Sequence, residues 1–180
     1  RNLATIFGGD MNNTGNISAN GAGSSGISLE SNSDLTESLN NSGSIRVNGA
    51  AAKGIRLSES WIQEHLQNSG NIEVSGESSV GIALEDDSVV SAMGNTETGV
   101  ISASGDYSRA ISIAQGKLSL SPTSLQNRGL IQTIGRESVG VYIDHPSNLS
   151  ILINEGQISS QGVGSRAIAL NSDYPDAPAS

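Results

Sequence analysis

A chain of 180 residues is long enough for one domain, but one Phe, one Trp and three Tyr exclude a large aromatic core, so Ile, Leu, Val and Ala must fill the interior. Nine basic against eighteen acidic residues leave a net charge of -9 with no basic cluster, which excludes the cationic stripe that nucleic acid or an anionic membrane would need. The absence of cysteine excludes a thiolate nucleophile, a thiolate-ligated metal and a disulfide framework, and fits a chain that crosses membranes unfolded.

In chain order, residues 1–12 read as the end of a preceding repeat, with Leu3, Ile6 and Met11 as inward candidates. Neither a signal pattern nor an apolar run of membrane-spanning length is present, and the start without Met reads as a mature or excised piece. A pattern Asn-x-Gly-x-Ile-x-Val-x-Gly, followed by Gly-Ile-x-Leu, then recurs over residues 13–170. Its first glycines are Gly15, Gly43, Gly70, Gly99, Gly129 and Gly156, with steps of 27 to 30 residues. A period this regular signals a repeat architecture, in which each unit buries its apolar face only by stacking on its neighbours.

Each copy divides into three strand-like pieces. In the first, Ile17, Ile45, Ile72, Ile101, Ile131 and Ile158 alternate with polar residues, the period of a strand with one buried face. A glycine closes it (Gly21, Gly49, Gly76, Gly105, Gly135, Gly162), at a place that needs positive φ or has no room for Cβ. Five residues on, Gly26, Gly54, Gly81, Ala110, Gly140 and Ala167 point to tight packing, because Ala is accepted twice. The second piece carries Ile27, Ile55, Ile82, Ile111, Val141 and Ile168, each followed two residues later by Leu or Ile.

The third piece varies in length. Its apolar positions are Leu35 and Leu39, Ile62 and Leu66, Val89 or Val90 with Met93, then Leu118, Leu120 and Leu125, then Leu149, Ile151 and Ile153. Pro122 marks a bulge or excursion, and Glu59 to Leu66 is too short to stand alone as a helix. Residues 171–180 abandon the pattern and read as a C-terminal tail or linker. The whole predicts an all-β fold: a parallel β-helix of about six rungs, each of three short strands, in a rod about 25–30 Å long.

One column stands out. Asn13, Asn41, Asn68, Asn127 and Asn154 each precede the first glycine by two residues, with Glu97 as the exception. An exposed turn asparagine is one reading; a structural ladder of amides bonding from rung to rung is the reading taken.

The segments NSGSIRVNGAAAKGIRL from Asn41 and NSGNIEVSGESSVGIALED from Asn68 resemble the passenger domains of bacterial autotransporters, over nearly all of residues 13–170. The resemblance implies a right-handed parallel β-helix carried through the outer membrane of a Gram-negative cell by a C-terminal barrel that lies outside this sequence. It implies an extracellular location, anchored at the outer membrane or released, and a role in virulence as a stalk or adhesin. Tailspikes, filamentous exoproteins and polysaccharide lyases share that architecture, so fold alone does not assign function.

Catalytic constellations are not assembled by the sequence. Glu85, Asp86 and Asp87 form the one dense acidic run, read as a solvated turn and not as a calcium site because no other copy repeats it; Asp34, Glu37 and Asp144 stand in comparable bends. His65 and His145 are the only histidines, and adjacent Asp144 and His145 cannot orient one another as a triad would require. Gly8-Gly9-Asp10 lacks the Lys-Ser/Thr of a phosphate loop. No enzyme, metal or cofactor is therefore expected. The contact candidates are the outward aromatics Trp61, Tyr107 and Tyr142. The expected role is a rigid stalk or adhesive module contacting a host or bacterial surface protein or glycan, or another copy of itself, without inserting in a membrane. The alternatives are a β-helical carbohydrate-active enzyme and a self-association module for aggregation or biofilm.

Overall fold

The computed structural model describes residues 5–114, 117–118, 124–144 and 151–171. These form a parallel β-solenoid without a helix, built from three sheets that the chain visits in turn. The first sheet is 6-stranded and holds the strands Asn16–Asn20, Ser44–Asn48, Asn71–Ser75, Val100–Ser104, Leu130–Ile134 and Gln157–Gln161. The second, also 6-stranded, holds Ser25–Leu29, Lys53–Ser58, Val80–Glu85, Arg109–Ile113, Val139–Asp144 and Arg166–Asn171. The 9-stranded third sheet gathers the variable segments, from Thr5–Phe7 to Ile151–Asn154.

Register follows the repeat. Ile17, Ile45, Ile72, Ile101, Ile131 and Ile158 pair in one column of the first sheet. Their counterparts Ile27, Ile55, Ile82, Ile111, Val141 and Ile168 do so in the second. The four central members of each column are fully buried. Like side chains lie above like, so each rung's aliphatic layer packs flat on the next, and no single rung could bury its own face.

Two glycine columns make this spacing possible. The one that closes the first strand has φ between +123 and +152, and a Cβ there would overlap the carbonyl of the glycine one rung earlier at every position from Gly49 onward. The second has no positive φ. A Cβ at Gly54 would stand 2.5 Å from both the Gly81 carbonyl oxygen and Ile72 Cγ2, so close packing sets that requirement.

The third sheet departs from the sequence reading in two places. Phe7, not Ile6, is in register with the inward column of Leu35, Ile62 and Val90, while Ile6 aligns with Asp34 and Trp61; at this end of the sheet both side chains are exposed. Near the other end, Leu152 is the inward residue, in register with Leu125. Ile151 and Ile153, expected inside, project outward because the strand's alternation runs one residue out of step with the expected one. As expected, the segment around Glu59 to Leu66 forms no helix; it is extended, within the strand Trp61–Asn68. Its bulge opposite Val90 and Ala92 explains why Ile62 and Leu66 lie four residues apart while their partners Val90 and Met93 lie three apart. Met11 packs against the core as expected. Leu3, Leu120, Pro122, Leu149 and the tail from Ser172 lie outside the described residues.

Candidate functional site

At the bend between the third and first sheets, the amides of six asparagines form a continuous ladder. Asn13 donates Nδ2 to Oδ1 of Asn41 at 2.7 Å, Asn41 to Asn68 at 2.7 Å, and Asn68 to Asn95 at 2.9 Å. Asn95 then donates to Asn127 at 2.8 Å, and Asn127 to Asn154 at 2.8 Å. The second Nδ2 proton closes the bend itself: Asn68 reaches the Gly70 carbonyl at 3.2 Å and Asn127 that of Gly129 at 3.3 Å. Only an amide both accepts and donates at this length; Asp would stack like charges, and Gln would overreach.

Glu97 is not a member of this column, and Asn95 is. The spacing of Glu97 from Gly99 matches the column, but the fourth bend carries two extra residues. Thr96 N bonds to the Asn68 carbonyl at 2.9 Å, as Ser69 N does to Asn41, and Val100 N rejoins the Gly70 carbonyl. Glu97 and Thr98 are the insertion: both are exposed, the turn closes through Gly99 N to the Thr96 carbonyl, and Thr98 Oγ1 is tied to the Ser69 carbonyl at 2.7 Å. The signal that would have found Asn95 is its place 27 residues after Asn68, within the repeat's range.

The cations are used as staples between rungs. Arg46 pairs with Glu73 at 2.8 Å, Arg128 with Glu155 at 2.8 Å, Arg136 with Asp106 at 3.2 Å and Arg166 with Glu137 at 3.9 Å. Arg56 bridges three levels, meeting Glu30 below and Glu85 above, and Lys53 joins Glu85 at 3.5 Å. Hydrogen bonds from Ser28 and then Arg56 hold the Glu30 carboxyl below the ordinary carboxylate range, and Arg46 with Asn71 does the same for Glu73. Arg128 and then Gln126 lower Glu155 likewise. Glu85 and Glu30 raise Arg56 against the cost of its burial.

These contacts account for the acidic run. Glu85 belongs to the Arg56 bridge, and Asp86 accepts a bond from Ser58 Oγ at 2.8 Å. Asp86 and Asp87 hold left-handed turn geometry. Among the described residues no group of three His, Asp or Glu is placed to hold a metal ion. His65 is exposed on the third sheet, and His145 lies outside the described residues. Asp34 stands in the outward column beside Trp61.

The three aromatics stand apart. Trp61 opens its strand on the outer face of the third sheet, 52% exposed. Tyr107 occupies a left-handed turn position between the first and second sheets, with the Arg136 guanidinium 5.8 Å from its ring centre. Tyr142 is half-buried in the outward column of Arg56, Ala83 and Ser112 on the second sheet. The Arg109 guanidinium covers its ring at 3.6 Å and also bonds Ser112 Oγ at 3.2 Å, while Asn171 donates to its hydroxyl at 3.2 Å. Its accessible ring face is thus partly spent on the rod's own surface.

Recesses interrupt the outer faces among the described residues. One is a shallow polar groove of about 320 Å³ on the first sheet, where Ser18, Asn20, Asn48, Ser75, Ser102 and Ser104 surround the Arg46–Glu73 pair. Another, of about 260 Å³, lies at the inserted bend, between Gln67 and Gln126 at Gly94. Compared with models of protein families, with curated proteins and with solved structures, the chain matches none.

Proposed function

We propose that this chain is a stalk or adhesive segment of a secreted, surface-displayed protein of the autotransporter passenger type, in which a stiff rod presents outward side chains to a partner. The observation that supports this most directly is the direction of its polar contacts. The Asn ladder and the ion pairs of Arg46, Lys53, Arg56, Arg128, Arg136 and Arg166 all join one rung to the next. Such a rod resists bending at every level and keeps recognition for the positions that depart from the repeat. The motifs quoted from Asn41 and Asn68 favour export and display on a Gram-negative surface.

The test is display. Residues 1–180 fused to an outer-membrane translocation barrel should be reached by antibody on intact cells and should raise attachment to epithelial monolayers above that of the barrel alone. Attachment equal to the barrel's would overturn the adhesive part of the reading, leaving a spacer. Depolymerisation of an anionic polysaccharide by the purified chain would replace it with the enzymatic alternative. Sedimentation velocity over a concentration series separates self-association: a constant sedimentation coefficient is expected if the contact is with another molecule.

A further inference from the structure

We propose that the notch at Gly94 is a binding subsite for a neutral saccharide. The inference rests on the adhesive reading and supplies a ligand class for it.

Gly94 is a glycine that the fold does not require. Gly43, Gly70, Gly99 and Gly129 have no room for a Cβ, and the column of Gly49, Gly76, Gly105 and Gly135 combines close approach with positive φ. Gly94 has neither: its φ is not in the left-handed region, and a Cβ there would touch nothing nearer than Gln67 Cγ at 4.0 Å. It lies inside a strand, where glycine weakens pairing and marks a bulge, a tight bend or the close approach of another backbone or a ligand. Gly94 pairs in register on both sides and no backbone comes near its Cβ position. Its column on the outer face reads Asn12, Asn40, Gln67, Gly94, Gln126, so one long amide is missing between two others.

The second departure from the repeat falls at the same place. The extra residues Glu97 and Thr98 bulge out beside this gap, which is lined by Gln67, Thr96, Glu97, Gln126 and Arg128. Two of these side chains are held in advance. Glu155 accepts from Gln126 Nε2 at 3.1 Å and from Arg128 Nε at 2.8 Å, which orients the amide so that Oε1 is the acceptor it offers. Thr98 Oγ1, bonded to the Ser69 carbonyl, fixes the bulge.

The lining chemistry selects the class. Planar amide, carboxylate and guanidinium groups beside hydroxyls supply donors and acceptors in alternation, as vicinal hydroxyls demand. Arg128 is balanced by Glu155, with Glu97 adding to the negative field around it, so an anionic sugar is disfavoured. A protein partner would need an apolar centre and an area of about 1,000 Å² or more. No apolar side chain lines this notch, and its volume of about 260 Å³ suits a ring or two of a polyhydroxylated chain.

The decisive variant is Gly94→Gln, which restores the column and extends a side chain into the notch from a position where a Cβ meets nothing nearer than 4.0 Å. Uniformly ¹⁵N-labelled chain is titrated with glucose, galactose, mannose, N-acetylglucosamine, lactose and chitobiose, and with sialyllactose as the anionic control. At least one neutral sugar should shift the Gly94 backbone amide and the Gln67 and Gln126 side-chain amides with a millimolar Kd. Gly94→Gln should weaken that sugar at least tenfold with an unchanged or higher Tm, and Glu97→Ala should weaken it severalfold. The inference is overturned if no neutral sugar shifts these resonances, if sialyllactose binds more tightly, or if Gly94→Gln binds as well as the original. Glycan failure leaves the display test intact, because attachment of cells to a protein receptor would still register there.

Discussion

Asn95 donates its Nδ2 to Oδ1 of Asn127 at 2.8 Å, across 32 residues of chain, and this bond carries the ladder past the one irregular bend in the rod. Both amides are buried, so each partner lost leaves a polar atom without water. Asn95→Ala removes the acceptor for Asn68 and the donor to Asn127 together, and should cost about 2–4 kcal/mol in urea unfolding. Glu97→Ala, at the neighbouring exposed position, should change stability by less than about 0.5 kcal/mol. Equal effects of the two would reverse the assignment of the column.

The left-handed turn column holds residues that pay no regard to their own preference. Gly23, Ala51, Ser78, Tyr107, Glu137 and Gly164 all have φ between +53 and +72. A β-carbon in that region costs about 1–2 kcal/mol, partly offset by the greater freedom of glycine in the unfolded chain. Ala51→Gly should therefore raise stability by about 0.5–1 kcal/mol. Gly54→Ala, where a Cβ would press on Ile72 and on the next rung's carbonyl, should lower it by about 1–3 kcal/mol. Paired thermal melts of the two variants check both signs.

Acid should loosen the staples before the core. Glu30, Glu73 and Glu155 all have folded-state pKa values below the ordinary carboxylate value. Their contribution is fully present above the unfolded value, about 4.3, and is lost as pH falls through the lower folded values. Urea midpoints should therefore drop as pH falls from about 5 towards 2. The drop should be smaller in a Glu30→Gln, Glu73→Gln double variant and smaller at 1 M salt, which screens exposed pairs. A slope identical in both proteins would show that these pairs add nothing.

The two exposed-face aromatics should separate in their effects. Tyr142 is gripped by Arg109 and Asn171, and Arg109 also holds the buried Ser112 beside it. Tyr142→Ala should lower stability by about 1–2 kcal/mol through lost packing and cation–π contact. Trp61, half open to solvent, should tolerate Ala within about 0.5 kcal/mol. A large loss at Trp61 would mean that its indole covers the third sheet.

The first and second sheets were legible because their strands stay at five or six residues, so the alternation of Ile45, Ile72 and Ile101 with polar residues fixes both facing and register. The third was legible through its middle, where Leu35, Leu39, Ile62, Leu66, Val90, Met93 and Leu125 are buried as expected, but not at its ends, where a segment of changing length resets the alternation. Ile153 was expected inside, yet Leu152 is the residue that meets Leu125. The Asn column was legible as a ladder, but its fourth member was hidden, because two inserted residues separate Asn95 from Gly99 by more than the usual spacing. The notch at Gly94 left no local mark at all. It is visible only when Gln67, Gly94 and Gln126 are laid side by side, which needs the register of the third sheet.

The ladder that stiffens the rod is tested most directly by side-chain amide hydrogen exchange, followed by NMR in the ¹⁵N-labelled chain. Slow exchange and distinct shifts are predicted for the Nδ2 protons of Asn41, Asn68, Asn95 and Asn127, with fast exchange for exposed Asn12 and Asn20. Fast exchange at Asn95, or protection that stops between Asn68 and Asn127, would contradict a ladder that runs unbroken through the rod.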